Sequence, residues 1–259
     1  MVALLDRCPA GRYRTTAVWQ VNSGCVRGTT PPVSRATHRS RRGCGPACLD
    51  EGVLAGGEPP TGGWTVIMPI KPVAIAKSRL SAIAAPQREQ LARAFTRDAI
   101  DAVLASPLVA HVIVVGDTTD VPVDSRVRPL VEPRADLGHA LDIGLDTLDA
   151  EQPVAIVVCD IPALRPAEIT TALTEGGRHR WSMICDRNGT GTTMLMSPRR
   201  RDLQHRFGDR SRASHVAMGA ADLAHLPVPG LRCDVDTEVD LWDAHRMGVG
   251  ENTRALLDR

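Results

Sequence analysis

The pattern of apolar and polar positions divides the chain near residue 63. Before that point no period of two or 3.6 residues is sustained, and Gly, Pro, Ser and Thr interrupt every short apolar run. After it, order is legible. Trp64–Ile70 (WTVIMPI) is an unbroken apolar run, as expected of a strand buried on both faces. Pro86 precedes Gln87–Leu104, where Leu91, Phe95, Ala99 and Val103 recur every fourth residue and predict an amphipathic helix. Val109–Val115 reads as a second buried strand and Arg126–Val131 as a short third. Leu137, Leu141, Leu145 and Leu148 mark another helix, and Pro153–Val158 another strand. Pro166 opens a helix through Leu173. Trp181–Cys185, Thr192–Met196 and Leu231–Val235 read as the remaining strands, and a helix follows from Glu238. Strands alternating with helices predict an α/β fold with a mostly parallel sheet, whose ligands bind at the carboxyl ends of the strands.

Composition sharpens this division. Residues 1–62 carry eight arginines against four acidic residues, and the remaining chain is mildly acidic, so the net charge of +1 describes neither part. Residues 1–62 are therefore expected to be a disordered extension, or translated sequence upstream of the true start. Residues 63–259 are expected to form one domain. Cys44 and Cys48, with His38 nearby, have a spacing used by zinc sites, but no second compact pair follows. A near-neutral chain argues against nucleic-acid binding. No apolar run reaches the roughly 18–20 residues of a membrane span, and no signal-peptide core is present, so a cytoplasmic location is expected.

Three stretches at predicted strand ends could carry chemistry. The first is Lys71–Leu80. The chain has only two lysines, Lys71 and Lys77, and both lie here with Arg79. Compact ammonium groups and a planar guanidinium suit a polyphosphate; a solvated loop is the alternative. The second is Asp160, placed after an apolar strand where a carboxylate can hold Mg²⁺ or simply end a turn. The third is Asp234-Val235-Asp236-Thr237-Glu238-Val239-Asp240. Thr237 and Asp240 have capping-box spacing, which leaves Asp234 as the better metal candidate. Asp186–Thr193 is a glycine- and hydroxyl-rich turn that reads equally as an anion cradle or a plain hairpin. Phe207–His215 places two arginines beside a helix start, which suits an anion or a capped helix with solvated arginines. His215 reads as supporting rather than catalytic. Cys159, Cys185 and Cys233 read as small core residues. The GxGxxG, GxxxxGK[ST] and GxSxG motifs are absent, which argues against a dinucleotide fold, a P-loop NTPase and the common hydrolase elbow.

In order and spacing, PIKPVAIAKSRL (69–80), CDIPAL (159–164), DRNGTGTT (186–193), FGDRS (207–211), PGLRCDVDT (229–237) and GVGENT (248–253) resemble the phosphoenolpyruvate / 2-phospho-L-lactate guanylyltransferases of coenzyme F420 biosynthesis. The likeness covers about residues 64–255. It implies a single-domain, Rossmann-like nucleotidyltransferase fold, with GTP as co-substrate and Mg²⁺ as cofactor. Asp160 and Asp234 would be the metal carboxylates. Thr192, Gly208 and Ser211 would contact the three-carbon phosphoacid, and Lys71, Lys77 and Arg79 would face the GTP phosphates. Phosphoenolpyruvate is the expected acid, because the composition resembles that of GC-rich actinobacteria. Phospholactate, 3-phosphoglycerate and a non-catalytic nucleotide-binding role are the alternatives. The next enzyme of the pathway is an expected partner. The sequence departs from the family at Cys159, where glycine is usual, at Gly138-His139 after Leu137, and at Ser214, where arginine is usual. The glycine-rich opening loop of sugar-phosphate and molybdopterin transferases is absent.

Overall fold

In a computed structural model, residues 63–70, 80, 82–119, 121–132 and 136–258 are described. The amino-terminal extension, with its cysteines and His38, and the lysine loop with Lys71, Lys77 and Arg79 lie outside these residues.

The element order is β1 (Trp64–Ile70), α1 (Ala85–Leu104), β2 (Val109–Gly116), β3 (Val127–Leu130), α2 (Leu137–Leu145), β4 (Val154–Val157), α3 (Pro166–Gly176), β5 (Ser182–Cys185), β6 (Thr192–Ser197), α4 (Ser211–Ala217), β7 (Ala221–Asp222), α5 (Glu238–Met247) and α6 (Glu251–Leu257). The strands form one seven-stranded sheet in the order β3-β2-β1-β4-β6-β5-β7. Neighbours from β3 to β4 are parallel, as are β5 and β7. Strand β6 runs opposite to both its neighbours. The short turn from β5 to β6 permits no crossover helix, so it dictates a hairpin.

The unbroken apolar strands are explained by the two layers they face. Val66 and Met68 of β1, Val112 and Val114 of β2, and Ala155 and Val157 of β4 pack with Ile100 and Val103 of α1 and Ile169 and Leu173 of α3. The alternate residues Ile67, Ile113, Val115 and Ile156 pack with Ala140, Leu141 and Leu145 of α2. A strand that is apolar on one face only could not serve both layers. A third cluster joins Leu91 and Phe95 of α1 to Leu241 and Ala244 of α5.

One expectation is corrected. Leu231–Val235 is not a strand. The Cys233 N–H donates to the Gly230 carbonyl at 3.2 Å, which folds the segment into a turn. Its alternating apolar residues are buried all the same, Leu231 under the sheet and Cys233 and Val235 against α5. The edge strand β7 and helix α6 have too little hydrophobic period to be read from sequence. Helix α6 is held by a distant residue instead. Buried Asp98 on α1 accepts hydrogen bonds from the Asn252 N–H, the Asn252 amide and the Thr253 N–H, each at 2.9 Å.

Candidate active site

The carboxyl ends of β1, β2, β4 and β5 and the amino end of β6 share one edge of the sheet. The elements that carry the candidate residues meet there.

Asp160 lies just beyond β4, where the Val158 N–H still bonds the Thr193 carbonyl of β6 at 3.0 Å. The Asp160 carbonyl accepts the Val235 N–H at 2.9 Å, which sets the loop of Asp234 beside that of Asp160. A second tie holds this loop in place. Glu168 at the start of α3 is 7% exposed, and its two oxygens accept the Gly230 N–H at 2.8 Å and the Arg165 N–H at 3.0 Å. Gly230 is required by close approach, since a Cβ there would stand 2.2 Å from the Ala163 carbonyl oxygen. Beyond Asp234, the expected capping box forms. The Asp240 carboxylate accepts the Thr237 N–H at 2.9 Å, and the Asp240 N–H donates to the Thr237 hydroxyl. Asp240 also pairs with Arg187 at 3.0 Å, so it serves the helix start.

Asp234 differs from these. Burial pushes its carboxyl up to about 7, and the charges of Asp160, Asp186 and Asp236 add to the rise. Negative charge gathered around the Asp234 carboxyl is what a divalent cation would relieve. Among the described residues, no group of three or more His, Cys, Asp or Glu side chains is arranged to hold a metal. A carboxylate pair fits Mg²⁺ nonetheless, because this ion keeps several waters and takes substrate phosphates as ligands.

The turn after β5 is closed by its own acid. Asp186 accepts the Thr190 N–H and the Gly191 N–H, both at 2.8 Å. These two backbone donors are therefore engaged within the turn. The sequence alone does not single out Asp186 as a third acid acting on Asp234; its place at the head of the DRNGTGTT turn is the only local signal. The arginines nearby act as ties. Arg187 pairs with Asp243 at 2.7 Å, and Arg212 bonds Asp222 at 2.8 Å and the Gly189 carbonyl at 3.1 Å.

Of the three expected acid-contact residues, Thr192 bonds the His215 ring, and Ser211 and Gly208 lie on the segment that carries or packs on that ring. Thr192, at the start of β6, bonds His215 Nδ1 through its hydroxyl at 2.9 Å. Ser211 is buried one turn before His215 on α4. Gly208 follows Phe207, whose ring packs edge-on to His215 at 5.3 Å. The turn bends sharply, with φ of +131° at Gly208 and +52° at Arg210. A non-glycine residue in the left-handed region marks local backbone strain of the sort common at ligand sites. Cys159, Cys185 and Cys233 are buried, as expected. Burial pushes the Cys233 thiol up to about 11, which removes it as a nucleophile at neutral pH. Cys159 occupies the usual glycine position as part of the core, at 8% exposure.

Comparison with known proteins gives the family and the fold. The family model described as "Guanylyl transferase CofC like" matches residues 64–258. Phosphoenolpyruvate guanylyltransferase from Salinispora arenicola is 41% identical over 74% of this chain and 92% of its own. The enzyme of that name from Streptomyces coelicolor is 40% identical over 76% of this chain and 96% of its own. Among solved structures, a Desulfovibrio desulfuricans protein provisionally named a nucleotide-diphospho-sugar transferase superposes with a TM-score of 0.55 at 19% identity, covering 75% of this chain and 94% of that one. The 2-C-methyl-D-erythritol 4-phosphate cytidylyltransferase of Francisella tularensis gives 0.50 at 11% identity, over 71% and 99%. These two likenesses concern the fold, which is that of nucleotidyltransferases. Among the described residues, no helix is long and apolar enough to cross a membrane. On the match of the family model to residues 64–258, and on relatives near 40% identity over most of their length, the chain belongs to the CofC-like guanylyl transferase family.

Proposed function

We propose that this protein transfers GMP from GTP to phosphoenolpyruvate, releasing pyrophosphate and forming enolpyruvyl-diphospho-5'-guanosine for coenzyme F420 biosynthesis. The observation that carries this reading is the carboxylate pair Asp160 and Asp234, set side by side at the sheet edge that also holds Thr192. The names of the similar actinobacterial enzymes support phosphoenolpyruvate as the acid.

In this reading Thr192, Ser211 and the backbone at Gly208 hold the three-carbon phosphoacid. A phosphate oxygen of the acid attacks the α-phosphorus of GTP in line. The new O–P bond forms as the bond to the bridging oxygen breaks, and its electron pair leaves on pyrophosphate. The attacking oxygen is already anionic, so no general base is needed. Positioning and charge stabilisation then supply most of the rate. Asp160 and Asp234 would hold Mg²⁺, which when bound neutralises charge on the GTP phosphates. Lys71, Lys77 and Arg79 follow β1 directly in sequence and are assigned to the triphosphate.

The test is pyrophosphate release with GTP, Mg²⁺ and, in parallel, phosphoenolpyruvate, 2-phospho-L-lactate or 3-phosphoglycerate. Release dependent on phosphoenolpyruvate is expected, falling at least about a hundredfold in Asp160→Asn and Asp234→Asn. Release with another acid alone would reassign the substrate. No release with any acid would sink the enzyme reading.

A further inference from the structure

We propose that His215 is a positioning residue, which fixes the Thr192 hydroxyl as a hydrogen-bond donor toward the three-carbon phosphoacid. The inference rests on the substrate reading above and adds to it a residue that touches no substrate.

The chain of bonds begins with a backbone group that can only donate. The Arg206 N–H points at His215 Nε2 at 2.9 Å, so Nε2 must accept and carries no proton. A neutral imidazole then holds its proton on Nδ1. Nδ1 lies 2.9 Å from the Thr192 hydroxyl oxygen, so the ring donates and the hydroxyl accepts. A threonine hydroxyl has one proton, and with the ring already donating to its oxygen, that proton must point elsewhere. The ring thus converts an ambivalent hydroxyl into an obligate donor, which is what an anionic acid requires.

The surroundings hold the ring in this state. His215 is fully buried, with Phe207 edge-on at 5.3 Å and Trp181 edge-on at 6.3 Å. Burial, helped by the nearby His205, pushes its pKa down to about 4. A charged ring would set two N–H donors head to head at Arg206. The same ring is bonded to Thr192, shares the buried face of α4 with Ser211, and packs on the residue before Gly208. One side chain therefore ties Thr192 to the segment that carries the other two assigned contacts.

Two amide replacements separate the ring's two bonds. His215→Asn can place an N–H near the Nδ1 position and keep the donation to Thr192. His215→Gln can place its oxygen near the Nε2 position and keep the bond from Arg206 while losing the donation. The KM for phosphoenolpyruvate is expected to rise about tenfold or more in His215→Gln, and by much less in His215→Asn. The KM for GTP should stay within about twofold in both. In a Thr192→Val background, His215→Gln should add little to the KM for the acid, because the two residues act as one unit. Nitrogen-15 NMR of the unmodified protein should show the Nδ1–H tautomer. An Nε2–H tautomer, an unchanged KM for the acid in His215→Gln, or equal increases for GTP and the acid would each overturn the inference. Full additivity with Thr192→Val would do the same. Absence of turnover with every acid would overturn the substrate reading, and the role given to Thr192 with it. An active wild type paired with an indifferent Gln variant overturns the positioning role alone.

Discussion

Replacing Glu168 by glutamine exchanges one buried carboxylate oxygen for an NH₂ group and leaves the shape of the side chain intact. Both oxygens of Glu168 are in use, one on the Gly230 N–H and the other on the Arg165 N–H. Glutamine has a single acceptor oxygen. Whichever N–H it retains, its amide group faces the other donor to donor. The loss is one charge-assisted bond together with an unpaired donor at the buried Glu168 site, which together come to about 3 kcal/mol. For a domain of this size that corresponds to a drop in Tm of roughly 6–12 °C. The cost also reaches the site, because Gly230 anchors the loop that carries Asp234. Scanning calorimetry of wild type and Glu168→Gln measures the first effect, and titration of the reaction with Mg²⁺ measures the second. The variant should melt at the lower temperature and need more Mg²⁺ for half-maximal rate. A Tm within about 2 °C of wild type would refute the reasoning, since no buried unpaired donor of this kind is so cheap.

Asp234 supplies a pH signature. Its folded pKa of about 7 lies above its unfolded value, so the metal-free folded state holds a proton that the unfolded chain has released. This contribution is complete below about pH 4 and is lost as pH rises through about 7. Without metal, wild type should lose stability relative to Asp234→Asn between about pH 5 and pH 8, and Mg²⁺ should raise the Tm of wild type more at the higher pH. A wild-type-to-variant difference that does not change with pH would contradict this. Asp98→Ala removes three hydrogen bonds to the start of α6 and should cost about 3 kcal/mol. Amide exchange at residues 252–255 should accelerate well beyond that of α1, and unchanged protection there would count against Asp98 as the anchor.

The parallel core is legible in the sequence because its strands are buried on both faces, and a short apolar run such as WTVIMPI fits little else than a strand between two layers. The direction of β6 is less so. It depends on the short turn after Cys185, because a strand buried on both faces leaves the same apolar pattern whichever way it runs. Leu231–Val235 misleads for a physical reason: its alternation serves burial in two different clusters, while its backbone is tied by Asp160 at Val235 and by Glu168 at the preceding Gly230. Motif order points to Asp160, Asp234 and Thr192. It does not point to the acids that shape the site. Glu168 sits inside an ordinary helix, and Asp186 looks like the first residue of a hairpin turn. Each matters through a long-range hydrogen bond or charge that no local period encodes. His215 stands out in the sequence as a supporting residue, but its tautomer follows only from the Arg206 N–H, which the fold brings to it from nine residues away.

Phosphorus-31 NMR of the protein with GTP, phosphoenolpyruvate and Mg²⁺ tests the central claim most directly. The singlet of phosphoenolpyruvate should be replaced, early in the reaction, by the coupled doublets of an unsymmetrical diphosphate. Pyrophosphate should appear in equal amount, and neither should form when the acid is omitted. A phosphoenolpyruvate singlet that persists while GTP is consumed would contradict the account.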